Sequence, residues 1–222
     1  MSILVFSDTH FTKKFDKKRF NKLSELINKA DNVIIDGDFW EGLTISFDDF
    51  LNSGWNRLFS LLKAKKAVYI FGNHDDHRLS DDRIYKFCDK AVNTYELKTP
   101  KRTYFFTHGQ DFLFPKTKDK NRNIKRSLKF KTKINIIIAS TIQSILFTIL
   151  GAKAFPQTFN EITIEQRKAI APIEYLLVSG HTHRPQYKPE INFIDIGFFN
   201  YGWANYMLIN ENGDFEFKSE RY

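Results

Sequence analysis

Nine side chains able to hold a metal ion or move a proton fall into five short clusters: Asp8-x-His10, Asp38, Asn73-His74-Asp75, His108 and His181-x-His183. Carboxylate, amide and imidazole groups offer hard to borderline oxygen and nitrogen donors, and no thiolate stands among them. Such a set suits Mn, Fe, Zn or Ni better than a soft ion. Asp-x-His and His-x-His each place two donors on the same side of an extended chain end. Asp8, His10, Asp38, Asn73, His108, His181 and His183 exceed what one ion needs, whereas two ions sharing a carboxylate would use them. Ion pairs of that kind sit about 3.5–4 Å apart and clamp the attacking and leaving oxygens of an in-line phosphoryl displacement.

Each cluster follows an apolar run that reads as a strand: ILVFS (3–7), NVIIDGD (32–38), AVYIFGNHDD (67–76), TYFFTHGQD (103–111) and YLLVSGHTH (175–183). Between them, KKRFNKLSELINKA (17–30) and FDDFLNSGWNRLFSLLKA (47–64) have helical spacing. The tail adds the strand-like runs NFIDIG, NYMLIN and DFEFKSE, with ENGD (211–214) as a hairpin turn. Strands alternating with helices imply an α/β fold with helices on both faces of a sheet. Ligands of open α/β folds gather outside the carboxyl ends of the strands. Residues far apart in sequence then converge at one edge.

Read in order, the clusters are SDTH, GDFWE, GNHD, THG and GHTH. This succession resembles the calcineurin-like metallophosphoesterase superfamily. The resemblance implies a β-sandwich flanked by helices (αββα). It implies one divalent metal on Asp8, His10, Asp38 and His183, and a second on Asp38, Asn73, His108 and His181, with Asp38 bridging. His74 would stabilise the transition state or protonate the leaving oxygen, Asp75 would orient His74, and a water activated by the metal pair would attack phosphorus. Glu41, closing the G-D-x-x-E stretch, reads as a local hydrogen-bonding residue, His77 as a solvated loop residue and Cys88 as a small buried hydrophobe. Arg184 either reaches a phosphate or caps the loop before Pro185.

With 222 residues, 42% of them hydrophobic and 16% aromatic, the chain is long and apolar enough for one packed domain rather than disorder. No linker divides it, so 1–222 reads as a single domain. The start, MSILVFSDTH, lacks a basic region and a cleavage site, so no secretory signal is expected. A single cysteine excludes an internal disulfide framework and suits the cytoplasm.

The net charge of +8 has one source. Residues 116–133 carry nine Lys or Arg and one acid, Asp119, while the remaining residues hold 25 charges of each sign. Directly behind that run, residues 134–152 (INIIIASTIQSILFTILGA) contain no charge. Their length would allow a bilayer crossing, but a crossing between His108 and His181 would put two ligands of one metal on opposite sides of a membrane. Apolar residues cover most of the helix circumference, and Ser140, Gln143, Ser144 and Thr148 leave only a narrow polar stripe. Residues 116–152 are therefore expected to form a basic and apolar helical lid beside the active-site edge, facing a lipid-like substrate or an anionic membrane surface.

GDFWEG, THGQD followed by this insertion, and GHTHRP are also similar to the UDP-2,3-diacylglucosamine pyrophosphatases. That resemblance implies Mn, a lipid-linked nucleotide substrate and a cytoplasmic, membrane-peripheral hydrolase. Those enzymes carry Arg where this chain has His74, which widens the expected substrate to related lipid-linked or nucleotide-linked compounds. The alternative is a nuclease or nucleotide phosphodiesterase that holds nucleic acid on the basic run. That run has little aromatic content beyond Phe130 for base stacking.

Overall fold

The computed structural model describes residues 2–112, 128–155 and 161–222. The basic stretch 116–127 lies outside the described residues. In chain order the elements are β1 (Ser2–Phe6), α1 (Lys17–Lys29), β2 (Asn32–Asp36), α2 (Phe47–Leu51), α3 (Phe59–Ala64), β3 (Val68–Ile70), β4 (Lys90–Val92), β5 (Tyr95–Lys98) and β6 (Thr103–Phe106). There follow α4 (Phe130–Leu150), α5 (Ile164–Ile170), β7 (Leu176–Ser179), β8 (Gln186–Lys188), β9 (Phe193–Asp195), β10 (Phe199–Asn200), β11 (Trp203–Asn210) and β12 (Phe215–Arg221).

Alternation of strand and helix suggests one sheet, but the strands divide between two. The first sheet runs β10-β11-β1-β2-β3-β4, with β12 paired to β11, and the second runs β5-β6-β7-β9-β8. Strands β1 to β4 are parallel, in the register Val5↔Ile34 and Ile35↔Tyr69. In the second sheet β6, β7 and β9 are parallel, with Phe105↔Leu177 and Val178↔Ile194. Four consecutive buried residues in β1 and in β2, and all four in β7, show why these runs are continuously apolar: both faces are covered. Val5, Ile34, Ile70 and Met207 of one sheet meet Phe106, Val178 and Ile194 of the other in the central core.

On the outer face of the first sheet, α1 to α3 enclose an aromatic core. Phe11 stacks on Trp55 at 3.8 Å and Trp40 on Phe50 at 5.6 Å. Asp16 caps α1 by accepting from the N–H groups of Lys18 and Arg19, and Leu23, Leu26 and Ile27 are the buried face. The single helix expected over 47–64 is broken. Its α2 part starts on a Ser46–Asp49 capping box, Ser53 then caps a 3-10 turn over Gly54–Leu58, and α3 follows. The capping residues inside the run win over its apolar spacing. A thinner layer, with Ile162 buried and Ile170 of α5 partly buried, covers Leu177 and Phe193 on the second sheet. The architecture is the αββα sandwich.

Candidate metal centre

The expected donors meet at the carboxyl ends of the strands. Asp8 and His10 follow β1, Asp38 follows β2, Asn73 and His74 follow β3, His108 follows β6, and His181 and His183 follow β7. Their backbones are unusual. Asp8, His10, Asp38, His181 and His183 all have positive φ, between 45° and 75°. Left-handed backbone costs a side-chain-bearing residue about 1–2 kcal/mol, and such conformations persist where surrounding structure holds them. Here the hold is direct: Asp8 N–H donates to the Gly37 carbonyl, His10 N–H to that of Asp38, and His181 N–H to the Asp8 carboxylate at 3.0 Å. Glycine permits the close approach. A Cβ on Gly180 would lie 2.3 Å from Asp8 Oδ2, and one on Gly72 would lie 2.2 Å from Asp38 Oδ1.

Two groups of three donors result: Asp8, His10 and His183, and Asp38, His108 and His181. His183 Nε2 lies 3.1 Å from both Asp8 Oδ1 and His10 Nε2, and His10 Nε2 is 3.6 Å from Asp38 Oδ2. His108 Nε2 is 3.2 Å from Asp38 Oδ2, and its Nδ1 sits 2.8 Å from the Asp36 carbonyl, which takes the ring proton there and leaves Nε2 as a donor atom. Asp8 Oδ1 and His108 Nε2 are buried without a hydrogen bond. Unsatisfied carboxylate oxygen beside unsatisfied imidazole nitrogen is what a cation-binding cluster presents.

The electrostatics agree. Burial by itself pushes the Asp8 and Asp38 carboxyls up, but the surrounding imidazoles, His108 foremost, hold both below the usual carboxylate range. Burial pulls His108 down, yet Asp38 and Asp8 push it up to about 10. His181, buried beside the His108 charge, is pulled down to about 3. The negative field that places a proton on His108 attracts a divalent cation equally, so protons and metal compete for the same nitrogens. The residues present therefore fit a divalent pair.

His74 and Asp75 do not form the expected pair. His74 Nδ1 lies 2.7 Å and 2.9 Å from the two Glu41 oxygens. Asp75 instead accepts backbone N–H groups from Gly72, Asp38 and Phe39 at 2.7, 3.1 and 2.6 Å. Its carboxyl is consumed in tying the β2 and β3 loops together, so it has no part in orienting His74. Glu41 takes that place and also reaches His10 Nδ1 at 3.0 Å. It joins His10 and His74 in a third cluster. Burial would raise the Glu41 carboxyl, but His74 and His10 hold it at about 2. Burial works against protonation of His74, while Glu41 and Asp38 raise its pKa above that of an ordinary imidazole. The G-D-x-x-E spacing marks Glu41 as a hydrogen-bonding residue without revealing its partners.

A profile of the calcineurin-like phosphoesterases matches residues 1–185. The chain belongs to that family. It is a metal-dependent hydrolase of the metallophosphoesterase fold. A search of curated proteins finds no match. Solved structures similar to this phosphoesterase include a novel archaeal phosphodiesterase (15% identity, TM-score 0.47, covering 99% of this chain and 100% of that one). Another is Yfce, a phosphoesterase from E. coli (18%, 0.48, 95% and 88%). A third is Vps29 from Entamoeba histolytica complexed with zinc (14%, 0.47, 100% and 99%).

Above the donor cluster of this phosphoesterase opens a cavity of about 390 Å³. Its floor includes His10, Asp38, His74 and His181. Ile136, Ala139, Ser140 and Gln143 of α4 form one wall, with Phe155 and Tyr201 beside them. Arg184 donates to the carbonyls of Lys153, at 2.8 Å, and Phe155, joining the segment behind α4 to the GHTH loop. Of the expected bystanders, His77 is exposed, and Cys88 is buried with its thiol pushed up to about 12 by burial.

Proposed function

We propose that this phosphoesterase cleaves a phosphoester or pyrophosphate bond in a lipid-linked nucleotide, UDP-2,3-diacylglucosamine or a related compound. One observation carries the reading: a single cavity has metal-donor residues on its floor and, on its wall, Ile136 and Ala139 of α4 and Phe155 beside the polar Ser140 and Gln143. Phosphate suits the floor, and a hydrocarbon portion suits Ile136, Ala139 and Phe155. Two divalent cations, Mn by preference, supply Lewis-acid and water-activating chemistry when bound. Asp8, His10 and His183 would hold one, His108 and His181 with Asn73 would hold the other, and Asp38, which both groups approach, would serve both. His74 keeps Nδ1 on Glu41, lines the cavity, and carries at Nε2 the proton that the leaving oxygen takes.

The outer side of α4 supports a second part of the proposal, residence on the cytoplasmic face of an anionic membrane. Ile137, Ile138, Ile142, Ile145, Ile149 and Leu150 are exposed, and only 6% of the helix's apolar window is buried. The helix is long enough to cross a bilayer. Yet Leu128 N–H bonds to Leu43 at one end, and Arg221 bonds to the Thr148 carbonyl at the other. A helix tied at both ends to one domain lies along a surface rather than across it. Each isoleucine fully withdrawn from water contributes about 1.5–3 kcal/mol, and each basic residue near an anionic surface adds about 1 kcal/mol.

Asp38→Ala is expected to abolish Mn-dependent hydrolysis of a chromogenic phosphodiester while the circular dichroism stays native. Full activity in that variant rejects the reading. Wild-type protein is expected to float with anionic vesicles. Retention on DNA in place of vesicles would favour a nuclease or nucleotide phosphodiesterase, to which the +8 carried by residues 116–133 would then belong.

A further inference from the structure

The hairpin between β10 and β11 has a two-residue loop, Tyr201-Gly202, with Asn200 paired to Trp203. Both loop residues have positive φ, 52° and 78°. That is the requirement of a type I′ turn, whose first position favours Asn, Asp or Gly. Tyrosine is a poor occupant, because its Cβ crowds the left-handed backbone and its side chain offers no local polar compensation. Its presence at such a position calls for a gain elsewhere.

The gain lies in α4. The Tyr201 hydroxyl is 2.9 Å from Gln143 Oε1 and 3.1 Å from Ser140 Oγ, 58 and 61 residues away in sequence. Its own proton serves Gln143, and the Ser140 hydroxyl supplies the proton for the other bond. Ser140 and Gln143 stand three residues apart on one helix face, and both line the cavity. The Tyr201 ring also stacks on Phe147, the buried anchor of α4, with centroids 5.6 Å apart and planes at 23°. Two other side chains grip the helix differently. Trp203 Nε1 donates to the Phe147 carbonyl at 3.0 Å and Arg221 to that of Thr148 at 3.1 Å. Those bonds hold main-chain atoms near one end. Bonds to the Ser140 and Gln143 side chains, together with the buried Phe147 ring, fix the roll of the helix about its axis, and therefore which residues become cavity wall.

We infer that Tyr201 is a specificity-determining positioning residue: by holding the roll of α4 it keeps Ile136 and Ala139 beside the donor cluster, and so sets the preference for substrates that carry a hydrocarbon group. The substrate half of this inference rests on the lipid-linked reading above.

The test uses Mn-loaded, full-length protein and two esters, octyl p-nitrophenyl phosphate and methyl p-nitrophenyl phosphate. In each, water attacks phosphorus, the bond to the aryl oxygen breaks, and p-nitrophenolate leaves with that electron pair. Tyr201→Asn suits the turn but lacks the ring and hydroxyl. It is expected to lower the octyl-to-methyl ratio of kcat/KM about tenfold, mostly through the KM for the octyl ester, without lowering Tm. Tyr201→Phe, which keeps the ring, is expected to lower the ratio about threefold. An unchanged ratio in both variants, or a fall of both esters together with a fall in Tm, overturns the proposal.

Hydrogen exchange decides the mechanical half independently. Amides of Ala139–Thr148 are expected to exchange at least tenfold faster in Tyr201→Asn, while those of β1 and β2 keep their wild-type rates. Equal exchange in α4 overturns the clasp. A wild-type enzyme with no preference for the octyl ester overturns the lipid-linked reading instead, and the exchange result then stands or falls on its own.

Discussion

The donor cluster and α4 meet across one cavity and are built on opposite rules. The cluster sits on parallel strands, packed until a single added Cβ would collide. Its side chains are buried or half-buried, and backbone hydrogen bonds pin its left-handed turns. Helix α4 has two buried residues, Thr132 and Phe147, and turns most of its isoleucines outward. Ser140 and Gln143 of its polar stripe face Tyr201 and the cavity, while Thr148 is exposed. An ordinary surface helix does the reverse. Reaction chemistry here demands rigid placement, whereas the exposed isoleucines of α4 are left without apolar cover among the described residues.

Removing a shared donor should separate the two regions most sharply. Asp38→Ala takes the carboxylate that both donor groups approach. Metal assistance contributes several kcal/mol of transition-state stabilisation, so kcat should fall on the order of 1000-fold or more. Vesicle binding should be untouched, and a simultaneous loss of both would end the distinction. The reciprocal change is the pair Ile137→Glu and Ile142→Glu on the outer face of α4. Flotation with anionic vesicles should weaken by roughly 100-fold from the lost apolar burial, with unfolding free energy within about 1 kcal/mol of wild type by urea titration. A large drop in stability would mean that this face is core after all.

Glu41→Gln probes the corrected site. It removes the carboxylate shared by His10 and His74, and kcat/KM should fall about 30-fold, within the range usual for groups that orient metal ligands. Asp75→Asn, by contrast, should show its cost chiefly in Tm. Equal kinetic losses with unchanged Tm would restore Asp75 to the role expected of it.

The smallest effect is a slope. Burial pushes the Asp36 carboxyl up to about 8, and both its oxygens lack hydrogen bonds. A folded-state pKa above the unfolded value means stability that is complete below about pH 4 and lost as pH rises toward 8. In chelator-treated protein, Asp36→Asn should flatten that decline by up to about 1.4 kcal/mol per pH unit, read from urea unfolding at several pH values. Parallel pH profiles would show that Asp36 is not neutral in the folded state.

Much of the donor cluster was legible because strand ends announce themselves: an apolar run stops, and Asp, Asn or His stands next. The division into two sheets came only through the family resemblance and not from the strand pattern, since Tyr95–Lys98 carries no mark saying that it pairs with β6. The break within 47–64 was written in Ser46 and Ser53, whose capping oxygens the apolar spacing hides. The polar stripe of α4 could be read from the sequence, but its direction could not: spacing gives a helix two faces without saying which one looks inward. Asp75 and Glu41 exchanged places because adjacency to His74 in sequence is a weaker guide than the path of the β2 loop.

Five donors in left-handed turns carry a cost that outlasts any single molecule. At those positions glycine would relax the chain, and asparagine would strain it less than histidine does. Drift toward either would yield a sturdier protein with its reactive groups erased. Histidine and aspartate stand there for their donor atoms, at positions where the backbone alone would favour glycine.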